Sequence, residues 1–262
     1  GAASAWRLLK DADEPESRMS LRMAVGMFAI VAPLQLLVGD ISGKSVERLQ
    51  PAKLAAIEAF WDTRAEQPFH IAAWPDREIA GNRWEISIPK LGSLLTGGST
   101  QAEITGLKAF ESRDRPPVAV VFWAFRVMVG LGLAMIALGA WGGWLTWKSA
   151  PERSRLFLMA AVAMGPAGFV AVIAGWMVAE VGRQPWVIYG VLRTADAASP
   201  LLAGQVSLSL LGFLIVYAII FSVGVLYILR LIAEGPAAGS QEPVDEDRAP
   251  GTPLAAMPED PG

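Results

Sequence analysis

Apolar residues run almost unbroken through four windows of the chain, Leu21–Val38, Val118–Trp147, Leu156–Ala179 and Leu202–Leu229. Each is near or above the ~18 to 20 residues that a helix needs to cross the hydrocarbon of a bilayer. A segment in lipid must satisfy its backbone polar groups internally, and these windows are too long and too uniformly apolar for barrel strands. The pattern therefore predicts an all-α integral membrane protein with four transmembrane helices. Between the first two windows, residues 39–116 form a long polar loop. Within it Pro51–Asp62 reads as a helix opened by proline, "WEISIP" has a short strand-like alternation, and "GSLLTGGST" reads as a flexible connector. Residues 1–20 read as the end of a preceding helix and a linker. Residues 180–201 form a second loop, and residues 234–262, rich in Pro, Gly, Ala and acids, are expected to be disordered.

Composition sharpens this picture. Of the 262 residues 53% are hydrophobic and only 18% charged, and the charges avoid the four windows, as in an integral membrane protein. The net charge of −3 is spread over loops and tail and gives no footprint for a nucleic-acid partner. With no cysteine, disulfides and thiolate metal sites are excluded. The short loop "KSAPERSR" carries Lys148, Arg153 and Arg155 and is predicted to be cytoplasmic, with Arg7, Lys10, Arg18 and Arg22 and the tail after Arg230 on the same side. Loops 39–116 and 180–201 then face outward. The chain opens on "GAASAW", without an initiator methionine or a signal-peptide pattern, and is expected to be a partial chain.

The candidate chemistry is sparse. Arg126 and Met128 lie in "FWAFRVMVG" of the second window, and Glu180 sits at the outward end of the third. A methionine in an apolar helix is usually packing, and a terminal glutamate usually reaches water. An arginine at that depth needs an anionic partner or a water-filled cavity. Taken alone, these residues point to a buried anionic ligand, which would also suit a transporter.

Four motifs in order carry a more specific reading: "GDISG", "KLAAIEAFWDT", "FWAFRVMVG" and "GWMVAEVGRQPW" followed by "VLRTADAASP". Together they resemble subunit I of cytochrome bd-type quinol oxidases over roughly residues 1–233. The four helices would correspond to the family's sixth through ninth, the last four of subunit I, and loop 39–116 to its quinol-binding loop. The resemblance implies a bacterial plasma-membrane oxidase that oxidises quinol at the outer face and reduces O2 to water. It also implies a low-spin haem b, a high-spin haem b, and a haem d or a further haem b. Met128 matches the axial methionine of the low-spin haem, and Glu180 matches a ligand to a high-spin haem. Arg126 matches an arginine that can pair with a haem propionate, Trp176 would pack against the haem that Glu180 serves, and Arg183 of "GRQPW" joins them as a cofactor contact. Lys53 and Glu58 match the loop's functional lysine and glutamate: the carboxylate would take a proton from quinol while the lysine holds the quinone oxygen or tunes the carboxylate.

Helical geometry qualifies the last pair, since residues five apart stand about 140° apart and share no face, whereas Asp62 should share the face of Glu58. The one histidine, His70, lies in the loop, and nothing in the sequence marks it as a haem ligand. The family's histidine ligands are therefore expected from an N-terminal half of subunit I, making that half a partner alongside subunit II, with room for a small accessory subunit. The chain by itself is expected to be inactive. The short loop resembles the short-loop and cyanide-insensitive branches. The contrasting reading is a truncated or split scaffold that binds quinone without catalysis.

Overall fold

A computed structural model of the chain describes residues 1–148, 150–197 and 203–234, which divide into two units at residue 201. Four helical segments are long and apolar enough to cross a membrane: 15–49, 112–148, 155–181 and 203–234. The expected disordered tail, residues 235–262, lies outside the described residues.

Helix α1 (Ala2–Lys10) opens the first unit, and the next helix starts at Pro15. Helix α2 (Pro15–Leu49) has Pro15 in its first turn, runs on through Pro33, and extends well past the apolar window that ended at Val38. Hydropathy marks only the lipid-compatible part of a helix, whereas its hydrogen bonds are local and continue through the polar turns, here with Lys44 paired to Asp40 at 2.6 Å.

Helix α3 (Pro51–Glu58) starts at proline as expected but stops four residues short of Asp62. Ala59 turns into the left-handed region (φ 54°, ψ 41°), and its N–H returns to the carbonyls of Ala55 and Ala56. Asp62 is therefore not on the helix and does not share a face with Glu58; it pairs with Lys108 at 2.8 Å.

The rest of loop 39–116 is a packed module. Strands β1 (Phe69–Asp76) and β2 (Gly81–Ile88) form an antiparallel hairpin, of which only the second strand was legible as an alternation. The expected flexible connector is helix α4 (Leu91–Gly97). Its buried Ser93 accepts from Gln67 N–H and donates to Ala102 C=O, both at 2.8 Å, so tertiary hydrogen bonds override a Gly/Ser/Thr-rich composition. Phe60, Trp61, Leu107, Val118, Val121 and Phe122 close a core between α3 and the start of α5 (Val118–Lys148).

The third apolar window is broken rather than continuous. Helix α6 (Arg155–Ala163), capped by the Ser154 hydroxyl, and helix α7 (Ala167–Val181) are separated at Met164–Pro166. Proline lacks an N–H and clashes with the preceding turn, an interruption that a uniformly apolar pattern hides. A second core joins α1, α2 and α6 through Ala5, Leu8, Leu21, Val25, Phe157 and Leu158. On α5, Gly142 lets these helices close: a Cβ there would lie 2.8 Å from Phe157 Cζ and 2.9 Å from the Val25 methyls. Past α7, residues 186–188 (β3) and 192–193 (β4) pair as a small hairpin after the cis Gln184–Pro185 bond.

The second unit is helix α8 (Ala203–Glu234), apolar along its length and with no buried residue.

Candidate functional site

The short helix α3 places two ionisable side chains in two different directions. Glu58, at its last turn, reaches α5: its Oε2 accepts from Arg126 Nη2 at 2.7 Å, and both side chains are about nine-tenths buried or more (7% and 11% exposed). A charge-assisted bond of this kind is stronger than a neutral one, and an unpaired partner would be costly at this depth. The guanidinium also donates from Nε to the His70 carbonyl at 2.8 Å and lies over the rings of Phe122 (4.5 Å) and Phe69 (4.8 Å). Arg126 thus has the anionic partner that its depth demanded, and that partner is Glu58.

Lys53 points the other way. Its buried ammonium donates to the Ala179 carbonyl at 3.1 Å, at the end of α7 and next to Glu180. Desolvation pushes its pKa below the ordinary lysine value, Arg183 adds to this, and Glu180 opposes it. The separation of Lys53 and Glu58 around the helix holds, and the ammonium is directed at the α7 terminus rather than at the Glu58 carboxylate. The 186–193 hairpin is tied to the loop before α5 by Arg193, paired to Asp114 at 2.7 Å.

Two donors in this region lack partners among the described residues. Arg126 Nη1 and, one turn earlier on α5, Trp123 Nε1 are buried without a hydrogen bond. Buried polar groups are rarely left so, and two such donors at i and i+3 share one helix face. Trp123 was not anticipated from the sequence, where an indole in an apolar helix carries no mark. On α7, Trp176 is 65% exposed and stands one turn before Glu180, whose carboxylate pairs loosely with Arg183 at 3.3 Å. No cluster of three or more His, Asp or Glu suited to a metal ion occurs among the described residues.

The sequence pattern of the family described as "Cytochrome bd terminal oxidase subunit I" matches residues 1–236. The chain belongs to the cytochrome bd terminal oxidase subunit I family. It is 31% identical over 248 residues to the cytochrome bd ubiquinol oxidase subunit 1 of Bacillus subtilis, covering 88% of this chain and 52% of that protein. It is 29% identical over 310 residues to the cytochrome bd-II ubiquinol oxidase subunit 1 of Escherichia coli, covering 92% and 60%. The bd oxidase structure from Geobacillus thermodenitrificans superposes with a TM-score of 0.79 at 29% identity, covering 90% of this chain and 54% of that one. The chain therefore spans between half and three-fifths of the length of these relatives. Membership of this bd oxidase family and the four apolar helices together make it a multi-pass membrane protein.

A bd-type oxidase subunit carries haem, and the residues present fit that group. The unpaired Nη1 of Arg126 is a donor suited to a propionate oxygen. Met128, two residues on, rests its thioether against Gly175 of α7, where an added Cβ would lie 2.8 Å from Sδ. A soft sulfur ligand suits haem iron. Glu180 is half-exposed and free of any buried cluster, with Trp176 on the same unpacked face.

Proposed function

We propose that this chain forms the quinol-oxidising side, and one ligand face of the haem sites, of a bd-type terminal oxidase that takes electrons from quinol and reduces O2 to water. The observation that carries this reading is the buried ion pair between Glu58 of the loop module and Arg126, two residues before Met128, with Arg126 Nη1 left over as a donor. It joins the residue suited to receive a proton to the residue suited to hold a haem.

Quinol oxidation releases two protons with two electrons, and the Glu58 carboxylate is the base that accepts a proton from the quinol hydroxyl. Its Oε2 stays on Arg126, which leaves Oε1 for the substrate. Arg126 serves as a fixed positive charge that holds Glu58 on one side and a propionate on the other. Met128 would ligate the low-spin iron and Glu180 a high-spin iron, with Trp176 and Arg183 placed to contact the latter group. When bound, the low-spin haem supplies the electron acceptor for quinol. Lys53, fastened to the end of α7 beside Glu180, holds the quinol helix against the helix that carries Glu180. The histidine ligands come from a segment equivalent to the other half of the relatives' subunit, and subunit II completes the complex. Loop 39–116 faces outward, so protons leave on that side, and Lys148, Arg153 and Arg155 face the cytoplasm.

The test is Glu58→Gln in the assembled oxidase. Glutamine can still accept from Arg126 but cannot take up a proton, so quinol turnover should fall by about a hundredfold or more, the usual scale of general-base loss, with the low-spin spectrum retained. Turnover at the parental rate would remove the proton role from Glu58.

A further inference from the structure

His70 is the only histidine of the chain and plays no part in the family motifs. The structure nevertheless buries it, 4% exposed, against the Glu58–Arg126 pair. Strand β1 slips register between His70 and Ala72, and its buried positions fall at 70, 73 and 75 instead of alternating. Such bulges re-aim side chains, and this one turns the imidazole under α3.

Three polar contacts radiate from the residue, beside an edge-on contact of its ring with Phe60 (centroids 5.7 Å). Nδ1 lies 2.7 Å from the Glu58 carbonyl oxygen. Nε2 lies 3.0 Å from Oε2 of Glu85 on β2, a carboxylate also held by Asn82 Nδ2 at 2.8 Å. The carbonyl of His70 accepts from Arg126 Nε at 2.8 Å. A carbonyl can only accept, so Nδ1 carries a hydrogen and donates it to Glu58, while Nε2 faces the Glu85 carboxylate. The Glu58 carbonyl is one of the helix-end acceptors that the turn at Ala59 leaves without a regular intrahelical partner.

We propose that His70 is a positioning residue for quinol oxidation. It fixes the Glu58–Arg126 pair by holding the Glu58 backbone with its ring and Arg126 with its own carbonyl, and Glu85 is the outer anchor that sets the ring's orientation. The titratable and charged groups around the imidazole are Glu58 from α3, Glu85 from β2 and Arg126 from α5. The inference rests on the quinol reading of Glu58.

The experiment compares His70→Leu, His70→Asn, Glu85→Gln and Glu58→Gln in the assembled oxidase, with decylubiquinol as substrate. The readouts are kcat and KM separately and the low-spin haem midpoint potential. Asparagine places an amide N–H where Nδ1 was and keeps the donor to Glu58; leucine fills the space without one. Loss of that hydrogen bond in His70→Leu should lower kcat/KM about tenfold and shift the potential, with the haem content intact. His70→Asn should recover to within about threefold of the parent. Equal kcat/KM in the leucine and asparagine variants would reduce His70 to core packing and overturn the proposal. Should His70→Leu fail to accumulate, Glu85→Gln decides: a clear fall in kcat/KM supports the anchor, and a parental value overturns it. Failure of the underlying quinol reading is separately visible as parental turnover in Glu58→Gln, which overturns both.

Discussion

At the residue scale, the chemistry of this site turns on which groups are left incomplete. Arg126 satisfies Nε with a carbonyl and Nη2 with a carboxylate, and has Nη1 to spare. Met128, on the same stretch of α5, seats its thioether against Gly175, a contact that a leucine of similar volume retains in bulk without the sulfur. Met128→Leu should therefore abolish the low-spin haem absorbance while the polypeptide accumulates at parental level, measured by reduced-minus-oxidised spectra against an immunoblot. A normal low-spin spectrum would take the iron away from Met128. The sequence singled out Lys53, Glu58, Met128 and Glu180 through the family resemblance, and Arg126 also through the cost of a guanidinium in an apolar helix. It could not disclose His70, Glu85 or Trp123, because their role depends on a register slip in β1 and on which face of α5 meets the module.

At the element scale, the site depends on short pieces whose ends are set by tertiary contacts. Helix α3 is only eight residues, yet it reaches α5 through Glu58 and α7 through Lys53. Its early stop at Ala59 swings Asp62 away and frees the Glu58 carbonyl for His70, which a helix continued to Asp62 would have prevented. The periodic reading overran because nothing between Ala59 and Asp62 is a strong helix breaker; the Phe60 and Trp61 side chains, seated in the module core, decide the turn. Below the module, α2, α5 and α6 pack through Gly142. Gly142→Leu should push these helices apart at a cost of about 1–3 kcal/mol, seen as a lowered Tm of the detergent-solubilised complex. Gly143→Leu, next to it and facing open space, is the control and should leave Tm nearly unchanged.

At the scale of the whole molecule, large apolar side chains remain exposed along α2 from Met19 to Ile41 and along α8, faces that fit hydrocarbon or another membrane segment and would not be stable against water. Under the proposed function the chain supplies single ligands, Met128 and Glu180, to sites that need an opposite ligand. A dithionite-reduced minus air-oxidised spectrum of the complex purified through this chain should therefore show low-spin b bands, with a far-red band only if one haem is a chlorin. Absence of any haem absorbance would leave a membrane scaffold with an oxidase sequence. Hydropathy by itself determined that the chain crosses the membrane as helices, because burying backbone in lipid admits few solutions and long apolar runs are visible one residue at a time. Motif order determined the family, because costly residues at fixed spacing are not placed by chance. Only the tertiary structure decided that Glu58 meets Arg126, that Lys53 caps α7, that a Gly/Ser/Thr-rich stretch folds as α4 and that His70 lies beneath the pair. These are contacts between segments far apart in the chain, and no local pattern of polarity encodes which of several possible partners a buried charge will find.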